Sequence, residues 1–414
     1  MVRSELVTAQ SCRVSDAAST KSAAIVSLHA ADASGLSLDT ATASFDKGWD
    51  QERYRNGAHW AKLLGEVSKH VVPPAPIYEP SVRDPCMRST PNITRSINYP
   101  FGDDAQAFAS RDVLLANFPS KQAQMVYVAH YMDTIEAAYR LFDSVSLSDE
   151  AKAFWDKPSE TSDDWLAQYC TVLSLGCQCH NFVSQGSDKM SGQLLQAAET
   201  FLRRSPFLFR PAPATIRALC LMVIAKQIYA MSCHEADTCW PLTGMTLRLA
   251  MGMGLHLGQE DAQRRLWAAV VYFEMRQTLV CGMPCMLRLV DLTSSKDYGG
   301  IADVVLGNFG QLLLRAAYMA TSDDDTVTYD EVVQLDFEIR QHLRGCNTNQ
   351  VVQADMLIRQ TLMALHSRFA LRPSAPTEHP VSHVSLFESA LSTLAHQRNL
   401  CEGPSSREWG LTEG

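Results

Sequence analysis

His256 is the side chain whose type and setting best suit proton transfer. An imidazole changes charge near neutral pH, and this one sits in a glycine-marked run, Gly252-Met253-Gly254-Leu255-His256-Leu257-Gly258. A general base needs a reacting partner, and neither Gly-x-Ser-x-Gly nor His-Glu-x-x-His occurs in the chain. A dinucleotide fingerprint requires Gly-x-Gly-x-x-Gly between a strand and a helix, whereas here the third glycine is displaced and the preceding residues have helical periodicity. The residues therefore predict a helix C-terminus at Gly252–Gly254 and a structural histidine hydrogen-bonded beside it. No catalytic residue is expected.

Metal-ligand types gather at two places. Cys177-Gln178-Cys179-His180 ends an apolar segment and lacks a second ligand pair at finger spacing, so buried thiols are expected. Cys233-His234 with Cys239 flanks a loop signal and is again read without metal. Asp323-Asp324-Asp325 lacks the loop glycine and distal glutamate of a calcium loop, which predicts a solvated turn. Arg264-Arg265 is a candidate for phosphate, yet two arginines at a helix start in an acidic chain predict pairing with nearby carboxylates. Trp240 and Trp267 are candidate pocket walls, with core packing the leading expectation.

Such residues need a scaffold, and composition says which. The 414 residues are 46% apolar, rich in Ala, Leu, Met and Gln and poor in alternating β-branched runs, so an all-α fold is expected. A formal charge of -9 and a pI near 5.7 argue against a chain whose main surface neutralises phosphates. Twelve cysteines scattered from Cys12 to Cys401 without repeated spacing fit reduced thiols inside a cell. The first residues contain no apolar signal segment, and apolar runs such as Ala218–Ala225 fall far short of the ~20 residues that span a bilayer. A soluble chain with no membrane contact is expected.

Along the sequence, residues 1–50 are Ser-, Ala- and Thr-rich, with six Lys or Arg against seven Asp or Glu through residue 60, and predict a disordered arm. Residues 51–104 predict a short helix around His59–Val67 and a Pro-rich linker behind Pro73-Pro74-Ala75-Pro76. Residues 105–400 read as one multi-helix domain, and 401–414 as a flexible tail. Within the domain, Ser120 is placed to cap a helix whose buried face is Val128, Met132, Ile135, Tyr139 and Phe142. Asp163-Asp164 precede a second helix, and Pro211 and Pro213 precede Ile216–Met231, apolar on nearly all sides and suited to the centre of a bundle. Thr328-Tyr-Asp-Glu331 has the form of a capping box ahead of Val332, Leu335, Ile339 and Leu343. Helices at 352–370 and 385–399 complete the series, separated by turn signals at Pro373, Pro376 and Pro380.

The densest stretch runs from Trp240 to Pro284. Trp240, Gly244, Leu247 and Met251 share one side of a helix, where a glycine lets a ring or backbone approach closely. Glu260 and Asp261 suit the start of the next helix, which runs through Trp267 and Phe273 to a stop at Gly282-Met283-Pro284. This order resembles the fungal-specific transcription factor domain, the middle homology region of fungal zinc-cluster regulators. The carrying residues are Trp240, Gly244, Arg248-Leu249-Ala250, Gly254-Leu255-His256, Arg264-Arg265-Leu266-Trp267 and Gly282-Met283-Pro284. Upstream, Phe118-Pro119-Ser120, Phe142, Phe154-Trp155 and Trp165 fit the family's opening helices, and Gly57-Ala58-His59-Trp60 its short inter-domain helix. Ala268, Glu274 and Met283 stand where the family favours Trp, Asp and Arg.

The resemblance implies a nuclear transcription regulator, pathway-specific for nutrient use or a secondary-metabolite gene cluster, working through a helical regulatory domain. It implies the transcription machinery or a DNA-binding protein as partner, and a small-molecule effector as a further one. Trp240, Gly244, Arg248, Gly254, His256, Arg264, Arg265, Trp267, Gly282 and Pro284 are the motif residues, in structural or regulatory roles. The family's DNA-binding module holds two zinc ions in a six-cysteine array, and Cys12 is the only cysteine before Cys86 here. DNA contact is therefore left open, and no DNA-binding residue is named. No cofactor is expected in these residues, zinc entering only with an upstream six-cysteine module. The alternatives are a co-regulator without direct DNA contact and a small-molecule-binding helical protein.

Overall fold

A computed structural model describes residues 99–101, 110–142, 144–184, 189–229, 237–292, 300–322, 326–345 and 352–402, and every regular element among them is helical. The arm at 1–50, the His59–Val67 segment, most of the linker through 104, Cys233-His234, Asp323–Asp325 and residues 403–414 lie outside the described residues.

Capping chemistry sets many of the starts. Ser110 Oγ accepts from Val113 N–H ahead of α1 (Arg111–Ala116), and Ser120 Oγ accepts from Ala123 N–H at 3.3 Å ahead of α2 (Lys121–Tyr131). The stripe expected to make one long helix is interrupted: a π-helical turn occupies Met132–Glu136, and Arg140, at φ 52°, ends the element at Tyr139. The wider turn rotates Glu136 into the core, where Tyr131 Oη donates to its Oε2 at 2.8 Å and Phe142 N–H to its Oε1 at 2.8 Å. A carboxylate among apolar residues thus decides where this helix stops.

Helix α3 (Ser144–Asp156) leads to α4 (Asp163–Ser184), whose acidic start does more than suit the helix dipole. Asp163 pairs with Arg111 at 2.6 Å and Arg204 at 3.1 Å, and Asp164 accepts from Thr215 Oγ1 at 2.9 Å, so three other helices are tied to that end. Around α4 pack α2, α5 (Lys189–Arg204) and α6 (Pro213–Tyr229). Residues Ala218 to Ala225 of α6 are all buried, as a helix apolar on every side requires.

From α6 the packing passes to α7 (Cys239–Gly252), α8 (Asp261–Cys281), α9 (Ile301–Thr321), α11 (Val352–Ala370) and α13 (Pro380–Glu402). The long helix α9 carries no strong start signal beyond Asp303, whose Oδ2 accepts from Gly300 N–H at 3.3 Å, and sequence reading placed no helix there. For α10 (Tyr329–Gly345) the capping box forms: Thr328 N–H donates to Glu331 Oε2 at 2.8 Å, and Glu331 N–H to Thr328 Oγ1 at 3.4 Å. The final helix begins at Pro380 rather than at Ser385, because proline lacks an N–H that the first helical turn leaves unused anyway. Pro376 likewise sits in the first turn of the short α12 (Ala375–Glu378). Of the three expected turn prolines, Pro373 lies in a turn, whereas Pro376 and Pro380 belong to helix starts.

Candidate functional site

Helix α8 is where the two packing groups meet, touching α6, α7, α9 and α11. Residues Leu266 to Leu279 are buried without a break, so this helix carries polar groups that must find partners inside. Arg276 Nη1 donates to Gln227 Oε1 at 2.5 Å, and Gln227 Nε2 to Gln277 Oε1 at 2.8 Å, binding α8 to α6. Trp267, 1% exposed, donates from Nε1 to Asp291 O at 3.0 Å. That bond anchors the irregular chain after Gly282 back onto α8. The same chain is held from the other side by the Tyr318 hydroxyl, which donates to Leu287 O.

Both glycine-marked turns form as their spacing implies. Gly254, at φ 74°, follows the end of α7, and its N–H donates to Met251 O at 2.9 Å; Gly282, at φ 62°, ends α8. Side chains with a Cβ rarely adopt that left-handed backbone. Pro284 follows, half-buried.

Other motif residues sit differently from expectation. The buried face of α7 is Cys239, Leu242, Thr243, Thr246, Leu247 and Ala250, which leaves Trp240 and Met251 half-buried at its border, with Trp240 Nε1 unpartnered. A Cβ built on Gly244 would meet nothing within 4 Å, so no ring or backbone approaches there. His256 is half-buried with Nδ1 unbonded, and its ring lies against Trp267 at 5.8 Å between centroids, so it is a packing histidine rather than a hydrogen-bonded one. Arg264 lies 3.9 Å from Asp261 and donates to Gln259 O, a loose ion pair at the helix start. Arg265 Nε has no hydrogen-bond partner, so the expected carboxylate pairing is not seen there. Trp267 lies in the core rather than in a pocket wall. The crevice nearby, lined by Cys220, Val223, Thr243, Thr246, Val270 and Phe273, does not admit a water molecule.

Sequence reading named Glu274 only as standing where the family favours Asp, and did not place its charge inside the core. Glu274 is fully buried, its carboxylate facing the Thr243 hydroxyl, the Met286 N–H and, further off, exposed Arg248, without a well-aligned hydrogen bond to any of them. Burial pushes its pKa up, and those three neighbours offset the shift only in part. A carboxyl with a raised folded pKa contributes fully to stability only below its unfolded pKa and loses that contribution as pH rises through the folded value. Glu274→Gln is therefore expected to raise the melting stability at pH 7.5 by about 1 kcal/mol, and the gain should shrink toward pH 5. Paired thermal melts at the two pH values read this. A less stable variant at pH 7.5 would mean that the charge is net favourable.

The remaining chemical candidates resolve as structure. On α4, Cys177 is a buried thiol that accepts from Asn181 Nδ2 at 3.6 Å and Cys179 is a half-buried one, and burial pushes the Cys179 thiol up to about 11. His180 Nδ1 lies 3.1 Å from His130 Nε2, and no group of three or more metal-ligating side chains is present among the described residues. The structure does align a serine, a histidine and an aspartate: Ser382 Oγ lies 2.8 Å from His366 Nδ1, and His366 Nε2 lies 3.1 Å from Asp336 Oδ1. Ser382 and His366 are wholly buried and Asp336 is held by Arg340 at 2.9 Å, so the set ties α10, α11 and α13 together where no substrate reaches.

Against known proteins, the chain is 26% identical over 263 residues to the fusarisetin A cluster transcription factor fsa6 of Fusarium sp. (strain FN080326), covering 57% of this chain and 34% of that one. The chain is a distant homologue of the fungal Zn(2)-C6 transcription factors. The homology lies over its middle region. A second relative, the equisetin cluster transcription factor eqxF of Fusarium heterosporum, is 25% identical over 57% of this chain and 36% of its own. The Zn(2)-C6 fungal-type transcription factor mpsB of Macrophomina phaseolina is 20% identical over 84% of this chain and 54% of its own. These homologues are transcription factors, not enzymes. The chain spans about a third of the length of the first two. No family model and no solved structure matches. No described helix is long and apolar enough to cross a membrane.

Proposed function

We propose that this chain is the helical regulatory part of a nuclear, pathway-specific transcription regulator that controls a secondary-metabolite gene cluster. The observation that carries the reading is the alignment of more than half the chain with two factors whose names tie them to such clusters. The α7–α8 block supports it physically. Its outer chain, residues 283–291, is held by two hydrogen bonds, Trp267 to Asp291 O and Tyr318 to Leu287 O, around the unfavourably buried Glu274 carboxylate. A partner or effector that relieves Glu274 or takes over those bonds shifts which surface is presented.

Two forms of the reading differ in what touches DNA: a DNA-binding partner protein, with this chain as co-regulator, or a zinc-holding six-cysteine module joined to it. The net charge of -9 fits a surface built for protein partners in either form. Deleting the gene and profiling transcripts is expected to silence or derepress a contiguous biosynthetic gene set, with tagged protein in the nucleus. An unchanged transcriptome, or exclusion from the nucleus under all growth conditions, would reject the reading. The purified chain is expected not to shift duplex DNA by itself, and a shift that salt abolishes would move DNA contact onto these residues.

A further inference from the structure

Helices α2 and α4 come together backbone to backbone where Tyr127 meets Gly176, since a Cβ on Gly176 would run into Tyr127 O. One turn further along each helix stand His130 and His180. The close approach brings His130 Nε2 to 3.1 Å from His180 Nδ1, with ring centroids 5.0 Å apart and ring planes inclined by 48°. A head-on hydrogen bond of that length would set the centroids ~5.4 Å apart, so the rings meet at an angle. Two nitrogens that each lie ~2.0–2.1 Å from one ion are ~2.9 Å apart at a right angle and ~3.3 Å apart at the tetrahedral angle. The observed spacing of 3.1 Å falls between those limits.

We propose that His130 and His180 together hold a divalent transition-metal ion of the zinc class through those two nitrogens, with water filling the rest of its coordination shell. This inference is independent of the proposed function. Imidazole nitrogen suits zinc, nickel and copper, whereas magnesium and calcium take oxygen ligands. Both side chains are half-buried, so an ion reaches them from solvent while two packed helices hold them in place. The Tyr127 ring lies against that of His180 at 5.9 Å between centroids and limits its rotation. Burial and the facing His180 imidazole push the pKa of His130 down, which keeps its lone pair open to a metal at neutral pH. Asp133, exposed and three residues on, acts on His130 in the opposite sense and sets a negative charge beside the pair that favours a cation. Cys179 is not a third ligand: its Sγ lies 3.3 Å from Thr134 Oγ1, and burial keeps it a thiol. With two protein ligands in place of the four of a structural zinc site, binding is reversible, and the bound ion adds a clamp between α2 and α4.

Thermal melts of the full purified chain under reducing conditions, in about 300 μM Zn2+ and in EDTA, read the site. The shift caused by Zn2+ is expected to be about 3 °C more positive for the wild type than for His130→Gln or His180→Gln, the cysteines being common to all three chains. Mg2+ at the same concentration is expected to shift none of them. In amide hydrogen exchange of the wild type, Zn2+ is expected to slow residues 127–134 and 176–184. Equal Zn2+ shifts in the wild type and both variants place any bound ion on thiols or other groups and overturn the inference, and so does a Mg2+ shift equal to that of Zn2+. Should a substitution unfold the chain in EDTA, wild-type exchange decides alone: slowing at those two segments supports the site, and its absence there rejects it.

Discussion

Truncating Trp267 to alanine is expected to cost about 4 kcal/mol of folding stability, read as a shift of the urea midpoint at unchanged slope. The indole is 1% exposed on α8, and its removal leaves a void that helices packed on several sides cannot close. The lost Nε1–H donor also strands Asp291 O, adding about 1 kcal/mol. Domains of this kind are stable by ~5–15 kcal/mol, so the loss takes a large share. Trp267→Phe separates the two contributions: it keeps most of the packing and loses the bond, and should cost about 1–2 kcal/mol. Because that bond anchors residues 283–291, the phenylalanine variant is also expected to reduce regulated transcript levels at temperatures where it remains folded. An alanine variant within 1 kcal/mol of wild type would show that the indole is not core.

Much of this block was legible because its signals are local. Gly254 and Gly282 adopt the positive φ that their positions after helical runs imply, and the Thr328–Glu331 box closes as its spacing predicts, since each depends on residues within one turn. The bounds of α11 match the expected 352–370 for the same reason. Long-range pairings left no such trace. Nothing near Glu136 announces that a carboxylate will be drawn inward and a π-turn opened, because the Tyr131 and Phe142 partners converge only in the fold. The polarity of α13 misleads outright: its apolar stripe has the period of a core face, yet its hydroxyl face is the one that meets Asp336 and His366. Gly244 misleads in the same way, its place beside Trp240 suggesting close packing where the fold leaves space.

A glycine that does let two helix backbones approach closely is Gly176, and its replacement by alanine is expected to destabilise the chain by about 2 kcal/mol or more. A Cβ there would lie 1.9 Å from Tyr127 O and 2.6 Å from Tyr127 C, both backbone atoms of α2. No rotamer change relieves a clash with backbone, so α2 must move off α4 by about 1 Å against a close-packed core. Intrinsic helix propensity works in the opposite direction, favouring alanine over glycine within a helix by ~1 kcal/mol. The sign of the measured change therefore decides between crowding and propensity. Gly244→Ala supplies the contrast, since its new methyl would meet nothing within 4 Å and only the propensity gain remains. The pair should move in opposite directions in one chemical denaturation series, Gly176→Ala down and Gly244→Ala up by as much as ~1 kcal/mol. A stabilised Gly176→Ala would show that α2 and α4 are not in backbone contact there. A destabilised Gly244→Ala would return that glycine to the close-packing role that its place in the motif suggests.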